Sequence, residues 1–279
     1  MALFILFVTG IAYIFGQATG SGASWVGLAL IISGVMSLGS YYFSDQIVLT
    51  MSGAKEIFVK EDKALFDVVT NLSIAAGIPR PKIYLIEEAS PNAFATGRDP
   101  QHAVVCLTSG LREKLDRAEL EGVIAHELSH IGNFDTRLMA IVSILVGLVA
   151  MLADWFMRSL WWRDRDNDNN KAGSIFMILG IILAIISPII AMLIQLSISR
   201  RREFLADANG AYITRYPEGL ARALEKLEQN KKVASFANNA TAHLFIISPF
   251  KGKDAASWFS GLFNTHPPIE ERIKLLRAM

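Results

Sequence analysis

His126-Glu127-Leu128-Ser129-His130 decides how the rest of this chain is read. The five residues are an H-E-x-x-H match inside residues 119–131, which read as one helix. Positions four apart share a helix face, so His126 and His130 can turn two imidazole nitrogens towards one metal ion. Zinc held by two histidines and one further protein ligand keeps a coordination place for water and lowers that water's pKa towards neutrality. Glu127, next in line, is placed to take the proton. The bland alternative is a polar helix face carrying these residue types by chance, since five-residue motifs also match by accident. A third ligand and a fitting context separate the two.

Working outward, Asp116 with Glu119 three residues on is a capping-box start, so the motif lies on a helix as its chemistry requires. The third ligand is expected from Arg202-Glu-Phe-Leu-Ala-Asp207. Glu203 and Asp207 are one helical turn apart on one face. Glu203 is therefore expected to ligate zinc, and Asp207 to accept a hydrogen bond from the other nitrogen of a liganding histidine and fix its tautomer. The competing reading is two solvated acids balancing the neighbouring arginines.

The composition places this site beside a membrane. Of 279 residues, 52% are hydrophobic and 19% charged, against about 25% charged in an average soluble domain. Mean hydropathy is +0.36. No charged residue occurs in residues 1–44, and Gly16-Gln-Ala-Thr-Gly-Ser-Gly-Ala-Ser24 divides that stretch into spans expected at 2–15 and 25–43. A cleaved signal peptide would need a basic start, which this sequence lacks, so a retained hairpin is the better reading. Two further spans are expected at 138–156 and 175–199, the second kinked at Pro188.

Residues 130 and 203 are thus separated by an even number of spans, which returns Glu203 to the side of the membrane that carries His126. Leu138 follows His130 so closely that, if the chain stays helical, the site lies roughly 12 Å from the bilayer surface. Arg200-Arg201-Arg202, directly after the last span, argues for a cytoplasmic C-terminal segment.

Net charge +1 and the lack of a basic, aromatic-interleaved stripe argue against nucleic acid. Cys106, the only cysteine, lies in an apolar run and reads as a buried hydrophobe. Elsewhere helices are expected at 62–77, 111–115, 202–212, 217–229 and 268–277 and strands at 82–86 and 102–108, with residues 90–97 between them turn-like at their start and ending in glycine. Residues 233–261 fit no element.

The H-E-x-x-H helix, two spans and then Arg-Arg-Glu203-Phe-Leu-Ala-Asp207 resemble the HtpX family of integral-membrane zinc metalloproteases, related to the type 1 CAAX prenyl protease. The likeness extends to Asn92-Ala-Phe-Ala-Thr-Gly97 and to Thr265-His-Pro-Pro-Ile-Glu-Glu-Arg-Ile273, and so covers most of the chain. It implies an α+β protein: four transmembrane helices plus a mostly helical zincin-like (gluzincin) catalytic domain with a small β-sheet. The expected layout is a transmembrane hairpin (1–44), the N-terminal part of the catalytic domain (45–137), a second hairpin (138–199) and the C-terminal part (200–279).

The resemblance further implies a cytoplasm-facing endopeptidase of a bacterial inner membrane, with one Zn2+ per chain, acting on misfolded or damaged membrane proteins in quality control and stress response. Its partners are polypeptide substrates and the lipid bilayer. By the same likeness, Asn92, Ala93 and Phe94 line the cleft and hold substrate backbone, and His266 reaches the zinc side and steadies the oxyanion. An edge near residues 92–96 could then pair with an extended peptide. Two rivals stand beside this: a membrane adaptor with a closed, structural zinc site, and a non-haem iron enzyme with the same ligand set.

Overall fold

The computed structural model describes residues 5–6, 9–10, 13, 24–138, 178, 182, 186, 200–229, 246 and 267–279. The expected spans at 2–15, 138–156 and 175–199 lie almost entirely outside these residues, as does His266. Among the described residues no helix is long and apolar enough to cross a membrane. The chain divides into two compact units, Met1–Phe43 with Ile141–Leu193, and Ser44–Ala140 with Ile194–Met279.

Helix α1 is Ser24–Met51. It runs past the expected end at residue 43 because Asp45 and Gln46 do not interrupt a helix and the first breaker is Gly53. Strand β1, Lys55–Glu56, follows and pairs antiparallel with β2, Lys82–Ile86. A two-residue strand has no periodicity of its own, so sequence reading passes over it.

Helix α2, Lys63–Ala76, lies where it is expected. The Asp62 side chain accepts from Leu65 N at 3.0 Å, and Gly77, at φ 69°, closes the C-terminus in the left-handed conformation that suits glycine. Leu65, Phe66, Val69 and Leu72 are buried, but Ile74 is exposed. At about 100° per residue, nine positions turn Ile74 to the side opposite Leu65.

The sheet has the order β1-β2-β4-β3. β3 is Ala93–Thr96 and β4 is Val104–Thr108. β2 runs parallel to β4, and β3 antiparallel to it with Phe94 opposite Cys106. β3 thus lies where the family resemblance expects a strand edge, at 92–96, after the turn-like start at Ser90 and Pro91. The strand expected from 102 starts at Val104, because residues 100–102 form a 3-10 turn capped by Asp99. β3 ends the sheet, yet all four of its residues are buried. Ala93 and Ala95 face the main core, while Phe94 packs with Val48, Leu49, Ile86, Val104 and Cys106 on the other face.

A short helix α3, Ser109–Lys114, leads to α4, Arg117–Gly132, whose capping box between Asp116 and Glu119 is complete. Leu120, Val123, Ile124, Leu128 and Ile131 of α4 are almost wholly buried. Each contributes about 1.5–3 kcal/mol on burial, which fixes α4 as the central helix of this unit. Against it pack α5, Arg200–Thr214, and α6, Pro217–Gln229. The closing helix α7, Ile269–Leu276, rests on both.

Two glycines set these distances. A Cβ on Gly122 would stand 2.6 Å from Leu220 N, and one on Gly210 3.2 Å from His126 N. The second contact lets α5 approach the α4 backbone at His126.

Candidate active site

α4 presents His126 and His130 on one face, as their spacing requires. Their rings meet edge to face, with Nε2 atoms 3.2 Å apart. α5 brings Glu203 opposite: Oε1 lies 3.5 Å from His130 Nε2 and Oε2 3.8 Å from His126 Nε2. All three residues are buried, and their ligand atoms lie within 4.8 Å of one another.

These donors fit zinc. Bonds of about 2.05 Å in tetrahedral geometry separate two ligand nitrogens by about 3.3 Å, which is close to the spacing of the two imidazoles. The orientation of the rings fits as well. His126 Nδ1 donates to Asp207 Oδ1 at 2.9 Å, and His130 Nδ1 donates to Asp135 Oδ2 at 3.0 Å. A carboxylate only accepts, so each Nδ1 carries the hydrogen and each Nε2 turns its lone pair inward.

Glu127 is buried beside the ligands. Burial, with the charge of Glu203 adding to it and His130 and the Ala95 N–H opposing it, pushes its carboxyl up to about 7. For His130 burial acts downward, but the hydrogen bond to Asp135 and the charges of Glu203 and Glu127 outweigh it and raise the group, so a metal ion on Nε2 would take the place of a proton. For His126 burial prevails over Asp207 and holds the imidazole below its ordinary value. Burial also pushes the Cys106 thiol up, in keeping with an inert core residue.

Beneath the ligands lies Arg272, wholly buried although it belongs to the charged helix α7. Its Nε and Nη2 donate to Asp207 Oδ2 and Oδ1 at 2.8 and 2.7 Å. Its Nη1 is 3.7 Å from Glu203 Oε2. Burial would raise Asp207, but the guanidinium prevails and holds the carboxyl below the ordinary range. Sequence reading misses Arg272, which stands among Glu270, Glu271 and Lys274 on a helix that reads as solvated. It also misses Asp135.

Asn92 is buried at the mouth of β3. Its backbone N donates to Thr108 Oγ1 at 2.8 Å, and its Oδ1 accepts from Ile246 N at 3.1 Å. Its Nδ2 has no hydrogen-bond partner among the described residues. Ala93 and Phe94 beside it are buried as well.

Residues 59–279 match the peptidase family M48 profile. The chain is 50% identical over 242 residues to a protease HtpX homolog of Dictyoglomus thermophilum, covering 86% of this chain and 77% of that one. It is 45% identical to the homolog of Caldanaerobacter subterraneus subsp. tengcongensis, covering 100% of this chain and 93% of that one. For the homolog of Pyrococcus furiosus the values are 44% identity, 99% and 94%. Among solved structures, S. mikatae Ste24p shares the fold with a TM-score of 0.58 at 19% identity, over 98% of this chain and 62% of that one. The chain thus spans about three-fifths of that protein's length.

The family and the relatives are proteases, and the His-His-Glu group could hold one metal ion, so the adaptor and iron-enzyme readings give way. The chain belongs to peptidase family M48 and is a zinc metalloprotease.

Proposed function

We propose that this protease is a membrane-bound endopeptidase that cleaves misfolded or damaged membrane proteins on the cytoplasmic side of a bacterial inner membrane. Its layout would be a hairpin at 1–44, catalytic segments at 45–137 and 200–279, and a second hairpin at 138–199. The charge-free residues 1–44 support the membrane part, as do Leu30, Ile31, Val35, Tyr42 and Phe43, all exposed along α1. An even number of spans between His130 and Glu203 accords with their meeting in one site. The arginine block at 200–202 supports the cytoplasmic side.

In the mechanism, His126, His130 and Glu203 would hold one zinc ion, which would supply a Lewis acid and an acidified water. Glu127 takes the water's proton and hands it to the leaving amine. Asp207 keeps the His126 lone pair aimed inward. Asn92 Nδ2 donates to a substrate carbonyl, with the backbone of Ala93 and Phe94 alongside. His266 steadies the oxyanion, a role that rests on the family resemblance alone. Contacts made to backbone rather than to side chains give broad specificity, which suits unfolded segments.

The observation that carries this reading is the buried Glu127 beside two histidines whose outer nitrogens are already tied. The test is cleavage of an unfolded reporter polypeptide by the detergent-solubilised, zinc-supplied protein, beside a Glu127→Gln variant. Cleavage that a chelator stops and the variant lacks is expected. Zinc-loaded wild type that cleaves nothing would overturn the endopeptidase assignment.

A further inference from the structure

The carboxylate on His130 comes from an unexpected place. Asp135 follows the end of α4, five residues beyond the histidine it serves. The chain reaches it through Phe134, whose φ of 59° lies in the left-handed region. A bulky residue adopts that region at a cost of order 1–3 kcal/mol and keeps it only where the surroundings hold it. Here the turn is closed by Asn133 N to Ser129 O at 3.0 Å and Phe134 N to Ile131 O at 3.1 Å. The Phe134 side chain is exposed, so its own packing does not explain the conformation. What the turn achieves is to fold the Asp135 carboxylate back against His130.

That carboxylate has two oxygens and two partners. Oδ2 accepts from His130 Nδ1 at 3.0 Å, and Oδ1 accepts from Arg202 Nη1 at 2.7 Å. Arg202 is the residue before Glu203 on α5. One member of the arginine block at 200–202 is therefore turned inward onto a buried acid, although its side chain remains partly exposed. Both histidines are in this way tied to the helix that bears the third ligand: His126 directly through Asp207, His130 through Asp135 and Arg202.

We propose that Asp135 and Arg202 form a positioning pair, in which Arg202 holds the Asp135 carboxylate and Asp135 holds the His130 ring in the tautomer and angle that zinc needs. The inference rests on the metal site of His126, His130 and Glu203. Without Asp135 the His130 Nδ1 loses its acceptor and the ring can turn. Without Arg202, Asp135 is a buried carboxylate with one partner fewer, and the turn at Phe134 loses what braces it against α5.

The test is the zinc affinity of the purified full chain, measured by competition with a chromophoric chelator and independent of proteolysis. Asp135→Ala is expected to weaken zinc about 10–100-fold, the usual cost of losing a histidine's outer partner. Arg202→Ala should weaken it by a smaller factor and Arg202→Lys should restore part of the loss. Because the two act in series, the double alanine variant should be no weaker than Asp135→Ala alone. Asp135→Asn, which keeps an acceptor oxygen and the packing, should fall between wild type and Asp135→Ala. It should also unfold at the wild-type temperature, and the visible spectrum of its cobalt form should shift, which a purely structural role would not produce. Affinity in Asp135→Ala within twofold of wild type would overturn the pair, as would fully multiplicative losses in the double variant. A wild-type chain that takes up no zinc would overturn the metal site itself, a different failure from unchanged affinity in the variants.

Discussion

Arg272 grips Asp207 through two parallel hydrogen bonds of 2.8 and 2.7 Å, both groups buried. The last helix of the chain thereby reaches under the three residues proposed to hold zinc, and a charge that would be costly alone becomes the counter-ion of the carboxylate that His126 Nδ1 meets at 2.9 Å. Removing the guanidinium leaves Asp207 ionised in a dry site. Arg272→Ala is expected to lower stability by about 3–5 kcal/mol, the usual cost of breaking a buried pair from one side. Thermal unfolding of the purified protein checks this. Arg272→Lys should recover only part, since a single ammonium cannot meet both oxygens in the same plane. Equal melting of wild type and Arg272→Ala would mean that the pair contributes nothing.

Glu127 and Glu203 are both buried acids beside the histidines, but their roles predict opposite outcomes. Glu127→Gln should retain stoichiometric zinc while cleavage falls about 100–10,000-fold, the range for a lost general base. Glu203→Ala should instead lose zinc. Metal content by atomic emission, measured on both variants with the peptidase assay, separates the roles. Retention of full zinc by Glu203→Ala would remove it from the ligand set.

Much of this site was legible because helical spacing is local. The i, i+4 pairs His126/His130 and Glu203/Asp207 need only one turn of helix to share a face, and the capping box at Asp116 and Glu119 announces the helix that carries the first pair. Arg272 was not legible, because Glu270, Glu271 and Lys274 around it read as a solvated face and arginine is rarely buried unless paired. Its partner lies 65 residues away. Asp135 escaped for another reason: it depends on a left-handed backbone at Phe134, where the residue type gives no signal. Strand β3 was legible only through the family resemblance, because Ser90, Pro91 and Asn92 before it are turn formers, and its four residues are buried rather than exposed. The fold shared with Ste24p accords with the expected α+β class.

The approach of α6 to α4 depends on the lack of a side chain at Gly122. A methyl there would press on the Leu220 backbone at 2.6–2.8 Å, which cannot swing aside as a side chain could. Gly122→Ala is expected to destabilise the protein by about 1–3 kcal/mol, as overpacking does. Gly132→Ala is the control. Among the described residues its added carbon would meet only Ile78 Cγ2, at an ordinary 3.8 Å, and the change should be neutral or slightly stabilising. The denaturant midpoint of Gly122→Ala should therefore fall while that of Gly132→Ala stays at or slightly above wild type, and a tolerated Gly122→Ala would show that the helices can part without cost.

Acid should weaken the catalytic unit through the caps of its helices. Asp62 caps α2 and pairs with Arg112 at 2.8 Å. Burial alone would raise its carboxyl, but the Arg112 and Leu65 hydrogen bonds prevail and hold it below the ordinary carboxylate value. Asp116, the cap of α4, is lowered chiefly by the Glu119 N–H. A carboxyl depressed on folding gives up its proton more readily in the native state. Its contribution is therefore complete above the unfolded value of about 3.9 and is lost as pH falls through the lower native value. Asparagine caps helices nearly as well but carries no charge. The double variant Asp62→Asn, Asp116→Asn should consequently be less stable than wild type at pH 7, and the difference should close as the pH falls below about 4. Urea unfolding at a series of pH values reads that difference directly. A constant gap from pH 7 to pH 3 would mean that these carboxylates titrate alike in the folded and unfolded chain, and that the ion pair and caps act through shape alone.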